Sequence, residues 1–129
     1  MTADIKSFYL ETPLDRYEYM AMNLNDIPDE FRQQYGLNAK AKGGKVFMKI
    51  RKGMDGLPDA GRLSNKLLKQ RLAKNRYYEM PHTPGLFKHV TRPIAFALIV
   101  NDCGVRYVGK QHANHLINAI RDDYTVEVD

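Results

Sequence analysis

The strongest hydrophobic signal in the chain is the run Ile94-Ala95-Phe96-Ala97-Leu98-Ile99-Val100, which follows a proline, breaks at Asn101-Asp102-Cys103-Gly104 and resumes as Val105-Arg106-Tyr107-Val108. An apolar run of this length between a proline and a turn suits a buried strand better than a helix. The segment predicts a β-hairpin, with Asp102 at its tip and Gly104 supplying the positive φ of the turn. A carboxylate placed there stands on a rigid apolar frame yet faces solvent, the way a fold presents a fixed metal ligand. The same four residues are also ordinary turn chemistry.

The remaining pattern supplies the other elements. Apolar residues at Ile5, Phe8, Tyr9 and Leu10, stopped by Thr12-Pro13, predict a short strand carrying Asp4; Tyr17, Tyr19, Met20 and Met22 predict an adjoining extended segment. Asn25 or Asp26 can cap a helix with Pro28 in its first turn and acids at its positive end, closing at Gly36. Residues 39–44 read as a Lys- and Gly-bearing loop. Val46, Met48 and Ile50 alternate with Lys45, Phe47, Lys49 and Arg51, the mark of a strand with one apolar face. Ala60, Leu63, Leu67, Leu68 and Leu72 recur at helical spacing within 59–75, and Ala113, Leu116, Ile117 and Ile120 do so within 110–124. Tyr77-Tyr78 and residues 86–90 read as short strands, and 125–129 as a last alternating one. Strands and helices in this order predict an α+β fold, helices packed on one face of a largely antiparallel sheet. Asp4 and Asp102 would then sit on strand ends that can be neighbours.

Composition narrows the class. In 129 residues, 43% hydrophobic and 27% charged, there is material for one globular domain and no sign of disorder. The net charge of +5 favours a polyanionic partner. A single cysteine excludes a disulfide framework and any multi-Cys zinc site. With no signal-peptide core and no apolar run long enough to span a bilayer, the expected setting is intracellular, cytoplasmic or nuclear, without a membrane partner. A chain that begins inside its first strand and ends on an alternating one is expected to be a piece cut from something longer.

Three stretches carry a family resemblance: Asp4-Ile5-Lys6-Ser7-Phe8-Tyr9-Leu10, then Ile50-Arg51-Lys52-Gly53-Met54-Asp55-Gly56-Leu57-Pro58-Asp59-Ala60-Gly61, then Leu98-Ile99-Val100-Asn101-Asp102. In order and spacing they resemble the palm motifs of copia-type retrotransposon reverse transcriptases, across nearly the whole chain. The resemblance implies a palm-like fold and an RNA-directed DNA polymerase. Its two Mg²⁺ ions would be bound by Asp4 and by the third-motif pair Asn101-Asp102, with metal ligation falling on Asp4 and Asp102. It implies Tyr9 beneath the sugar of the incoming nucleotide, and substrate contacts at Lys49, Arg51, Lys52 and Asp59. Its partners would be an RNA template, a DNA primer, deoxynucleotides and the rest of a Pol polyprotein. Two ions of this kind activate the primer 3′-oxygen and stabilise the leaving triphosphate, so acids from separate strands must converge.

The chain departs from that pattern at working positions. Asn101 stands where the family has the leading aspartate of a doublet, and an amide brings no negative charge to Mg²⁺. Asp55 and Asp59 stand where the family usually has Tyr and Gln, adding repulsion for phosphate. These changes on an intact apolar scaffold predict an impaired copy. The alternative is a non-catalytic nucleic-acid-binding α+β module. In that reading the basic stretch Lys40, Lys42, Lys45, Lys49, Arg51 and Lys52, with Arg62, Lys66 and Lys69 on the main helix, grips phosphate while aromatic residues stack bases. Among the remaining candidates, His112 and His115 share a helical face without further zinc ligands. His82 and His89 show no partner in sequence, and Cys103 reads as a small packing residue.

Overall fold

The computed structural model describes every residue from Met1 to Asp129. In chain order the elements are β1 (Thr2–Lys6), β2 (Pro13–Asn23), α1 (Asp29–Gln34), α2 (Leu37–Lys40), β3 (Lys45–Lys52), α3 (Ala60–Ala73), β4 (Tyr77–Glu79), β5 (Leu86–His89), β6 (Ile94–Ile99), β7 (Asp102–Tyr107), α4 (Lys110–Arg121) and β8 (Thr125–Val128), with 3-10 turns at Tyr9–Glu11 and Leu24–Asp26. Where composition predicts one domain, the chain gathers into two compact units, Met1–Pro13 with Gly53–Asp129, and Leu14–Lys52. No helix is long and apolar enough to cross a membrane.

The larger unit has the predicted α+β architecture. Its six strands lie in the order β4-β5-β6-β7-β1-β8, and the pairings are antiparallel. β4 to β7 form a meander; β1 then inserts between β7 and β8, so β7, α4 and β8 make a split βαβ unit around it. Period-two alternation assigns the faces. Ala3, Ile5, Phe87, Phe96, Leu98, Cys103, Val105 and Val126 point to one side, where they pack with Leu68 and Leu72 of α3 and Leu116, Ile117 and Ile120 of α4. The two helical stripes thus share a single core. The rings of Phe87 and Phe96 stack at its centre, 4.8 Å apart and 4° from parallel; truncating either to Ala removes a fully buried ring and costs roughly 3–5 kcal/mol. The opposite face of the sheet carries Thr2, Asp4, Lys6, Ile99, Asp102, Arg106 and Glu127.

In the smaller unit β2 and β3 form a two-stranded sheet, and Leu14, Ile27 and Val46 are its buried apolar residues. As the alternation predicts, Val46 turns inward while Lys45, Phe47, Lys49 and Arg51 are exposed. The Leu24 N–H donates to the Gly44 carbonyl at 2.8 Å.

Four local expectations need correction. The first strand does not reach Leu10: it ends at Lys6, Ser7 adopts φ 51°, and Tyr9 to Glu11 wind into a 3-10 turn. The helix of the smaller unit starts at Asp29 with Pro28 as its N-cap, and Asn25 and Asp26 belong to the preceding 3-10 turn. The proline ring disfavours helical backbone at Ile27, which is extended at φ −102°, ψ 128°. Of the loop expected over residues 39–44, Ala39 and Lys40 belong to a short helix, Leu37–Lys40, after Gly36, whose φ is 60°. Finally, Gly104 is a strand residue. Pairing continues through Ala97↔Gly104, Leu98↔Cys103 and Ile99↔Asp102, which leaves only Val100 and Asn101 to turn the chain. The positive φ falls on Val100, and Asp102 opens β7 instead of capping the tip.

Candidate active site

Asp4 lies in the middle of β1 between the buried Ala3 and Ile5, so alternation directs its carboxylate to the open face. Antiparallel register sets it opposite Asp102 on β7 and opposite Glu127 on β8. Three acids in a row across neighbouring strands repel one another. Two donors offset this. The Lys6 ammonium, on the same face two residues along, lies 2.5 Å from Asp4 Oδ2 and 2.9 Å from Glu127 Oε2. Hydrogen bonds to those two carboxylates hold its pKa above the ordinary lysine range. From the hairpin, Asn101 Nδ2 donates to Asp4 Oδ1 at 2.6 Å. The first and third motifs, 97 positions apart in sequence, are therefore joined directly by their polar side chains.

The turn that delivers Asn101 is strained. Val100 is a β-branched residue held at φ 58°, a conformation disfavoured for its side chain, while Asn101 has no positive φ. Positive φ at the first central residue alone is the pattern of a type II′ hairpin turn, which normally takes glycine there. Val100 is more than half exposed, so packing of its own side chain does little to offset the strain. The Asn101 carbonyl accepts the Ile5 N–H at 2.9 Å, which ties the turn to β1.

Beside this cluster is a cavity of about 390 Å³. It is walled by Ser7, Tyr9 and Leu10 after β1, by Met54 and Asp55 of the second motif, and by Val100 and Asn101 of the third. All three motifs thus meet around one space. The second motif is held there by close backbone approach: the Gly53 N–H donates to the Thr12 carbonyl at 2.8 Å, and a Cβ on Gly53 would lie 2.7 Å from the Tyr9 carbonyl oxygen. Only glycine fits.

The predicted site residues divide accordingly. Asp4, Asn101 and Asp102 come together, and Tyr9 and Asn101 share the cavity. Asp59 does not line it: this residue is the N-cap of α3 and pairs with Arg62 at 3.3 Å, while Asp55 takes the cavity wall. Lys49, Arg51 and Lys52 belong to the smaller unit, all exposed on β3. There the Lys49 ammonium sits 4.2 Å from the centre of the Tyr17 ring, and Tyr19 and Phe47 are also exposed. Cys103 is buried in the core, where burial pushes its thiol up to about 12; it packs and does not react. Sequence reasoning passed over Lys6 and Glu127. The i, i+2 spacing of Asp4 and Lys6 was visible in the first motif, but Glu127 becomes a neighbour only through the register of β8.

As constituted, these residues do not fit a pair of divalent ions. Both Asp4 oxygens already accept protein donors, Asn101 presents its NH₂ group to the site, and no set of three or more His, Cys, Asp or Glu side chains is arranged to hold a metal. Mg²⁺ demands carboxylate oxygen in near-octahedral array, and of the paired acids Asp4 and Asp102 only Asp102 is without such a donor. No protein-family model, curated protein or solved structure matches the chain.

Proposed function

We propose that this chain is a palm fragment of a copia-type retrotransposon reverse transcriptase, an RNA-directed DNA polymerase lineage, in which the nucleotidyl-transfer site is impaired. The observation that carries the reading is the cavity bounded by residues of all three motifs, with Asp4 bonded to Asn101 at its rim. A site for templated nucleotide addition needs a recess beside converging acids, with a planar side chain near the sugar position. Tyr9 lines the cavity, which supports that last role for it in this reading. What has changed is charge. Asn101 removes one anion from the acid cluster, Lys6 neutralises another, and Asp55 adds an anion to the wall that a triphosphate would approach. Partners in this reading are template, primer, deoxynucleotides and the remainder of a Pol polyprotein, inside the cell.

A primer-extension assay with Mg²⁺ should yield no product from the unmodified chain. Deoxynucleoside triphosphate binding is the sharper test, read from the backbone amides of Tyr9, Asp55 and Asn101. These amides should respond weakly in the native chain and several-fold more strongly after Asp55→Tyr with Asn101→Asp. If neither chain responds at these positions, or the shifts fall elsewhere, the palm reading is wrong.

A second reading, a non-catalytic nucleic-acid-binding module, has an observation of its own in the smaller unit. β2 and β3 expose Tyr17, Tyr19 and Phe47 among Lys45, Lys49 and Arg51. Aromatic faces among cations suit stacked bases and backbone phosphate of a single strand. The two readings part at Tyr9 and Asn101, which the module does not use.

A further inference from the structure

We propose that the recess bounded by the turn between α3 and β4, the turn before β6 and the start of α4 is a binding site for a compact polyphosphate anion of the pyrophosphate class. The recess has a volume of about 450 Å³ and is lined by Lys74, Arg76 and Arg92 together with the imidazoles of His89, His112 and His115. No carboxylate is among its walls, and none of the three permanent cations is ion-paired. It opens at the end of β6 away from Val100 and Asn101, roughly 17–20 Å along the strand. The assignment therefore does not rest on the palm reading.

The geometry is that of donors held in place. His89 is buried, and its Nδ1 accepts the backbone N–H groups of Thr91 and Arg92, each at 3.0 Å, which fixes the turn that carries Arg92. Arg92 Nη1 lies 3.2 Å from His112 Nδ1. The Tyr77 hydroxyl lies 2.8 Å from His115 Nδ1. With the Tyr77 hydroxyl donating to Nδ1, the neutral His115 ring carries its proton on Nε2. His112 stands in the first turn of α4, where there is no acidic side chain and Gly109 makes no side-chain cap, so the helix dipole adds to the positive field.

The field is visible in the histidines themselves. Burial, then the charges of His115, Arg92 and Arg76, lower His89, against a backbone hydrogen bond at Asn75; burial, then Arg92 and His112, lower His115. No acid contributes to either. An anion would oppose the pull of these cations. Strain points to the same place: Arg76 is held at φ 66°, which glycine adopts freely and arginine does not, with its N–H on the Ala73 carbonyl and its own carbonyl accepting Val90 N–H. Three fixed cations match the charge of a pyrophosphate group, whereas a phosphodiester brings a single anion. Guanidinium forks suit its oxygens.

The test is a titration of the full chain with sodium pyrophosphate at constant ionic strength, following the imidazole ring signals by NMR and the heat by calorimetry. Saturable binding should shift the His112 and His115 rings and raise the apparent pKa of His115. Arg92→Gln should weaken it about tenfold or more, the loss of a charge-assisted bond. Arg76→Gly is the variant that cannot fail by unfolding: relief of the strained backbone should raise the thermal midpoint while binding weakens. Absence of a saturable ring shift at millimolar pyrophosphate overturns the proposal, as does binding unchanged in both variants. Ring shifts from a single-stranded oligonucleotide but not from pyrophosphate would overturn it too, assigning the recess to a nucleic-acid backbone.

Discussion

Asn101→Asp restores the charge that the resemblance assigns to the third motif, and the structure gives its cost. In the native chain the amide donates to Asp4 at 2.6 Å. The substitution removes a hydrogen bond to a charged group, about 1.5–3 kcal/mol when a partner is left unsatisfied. It also opposes two carboxylates. At a relaxed separation of ~4 Å their repulsion is about 1 kcal/mol in water and about 4 kcal/mol at a protein-surface dielectric. With roughly a third of the Asp4 side chain exposed and Lys6 beside it, the lower end applies. The sum is a loss of about 2.5–4 kcal/mol at pH 7 without metal, to be read from urea melts. Repulsion raises one carboxyl of the new pair above its unfolded value, so the folded variant binds more protons than the unfolded chain just above pH ~4. Its deficit should therefore grow as pH rises through that window and shrink in acid. Divalent ions should also narrow it, by about 1.4 kcal/mol at ten times the dissociation constant. The double variant Asp4→Asn/Asn101→Asp re-forms the donor–acceptor pair with its polarity reversed and should recover most of the loss without metal. A single variant as stable as the native chain in EDTA, or a double variant no better than the single, would refute the argument.

Other consequences follow from single features of the larger unit and from the β3 surface. Val100→Gly should stabilise the chain by about 1 kcal/mol by relieving the φ 58° valine, an exposed residue with little packing to lose; a lower thermal midpoint would mean the turn is unstrained. Gly53→Ala should destabilise by about 1–3 kcal/mol, because its Cβ must displace the Tyr9 carbonyl 2.7 Å away. His89 and His115 have folded pKa values lowered by burial and by neighbouring cations, so the unfolded chain binds more protons around pH 6. Stability should thus fall as pH drops below ~6.5, with a shallower slope in His115→Gln, and a flat profile would contradict the lowered pKa values of the buried His89 and the half-buried His115. Replacing Lys45, Lys49 and Lys52 with Gln should lower single-strand affinity and reduce its log–log salt slope by about 2, whereas an unchanged slope would place the contacts elsewhere.

The architecture was legible wherever periodicity was strong. Leu68 and Leu72 on one helix and Leu116 and Ile120 on the other announced stripes that do share a core, and the 94–108 run did form the central hairpin. The turn within that hairpin was misread because Asn-Asp-Cys-Gly is good turn chemistry, while strand pairing decides which residues turn. Burying Cys103 and Val105 on the core face requires Gly104 to stay in the ladder, and Val100 takes the strained position instead. The short first strand was hidden for a related reason. Leu10 looks like strand continuation, yet it is exposed and lies in the wall of the cavity. Of the acid cluster, Asp4 and Asp102 could be paired through the motifs, but the Lys6–Glu127 bridge depends on which strand docks at the far side of β1, information no local window contains.

That division between legible and illegible follows from the two faces of the sheet. Residues that build the core alternate with those that build the acid cluster: Ala3 and Ile5 against Asp4 and Lys6 on β1, Cys103 against Asp102 on β7, Val126 against Glu127 on β8. A change on the open face leaves the inward set untouched, so charge at Asn101 or at the Lys6 bridge can vary without repacking the core, at a cost confined to the open face. Repulsion among Asp102, Asp4 and Glu127 in fact makes a neutral donor at 101 the more stable choice when no cation is bound.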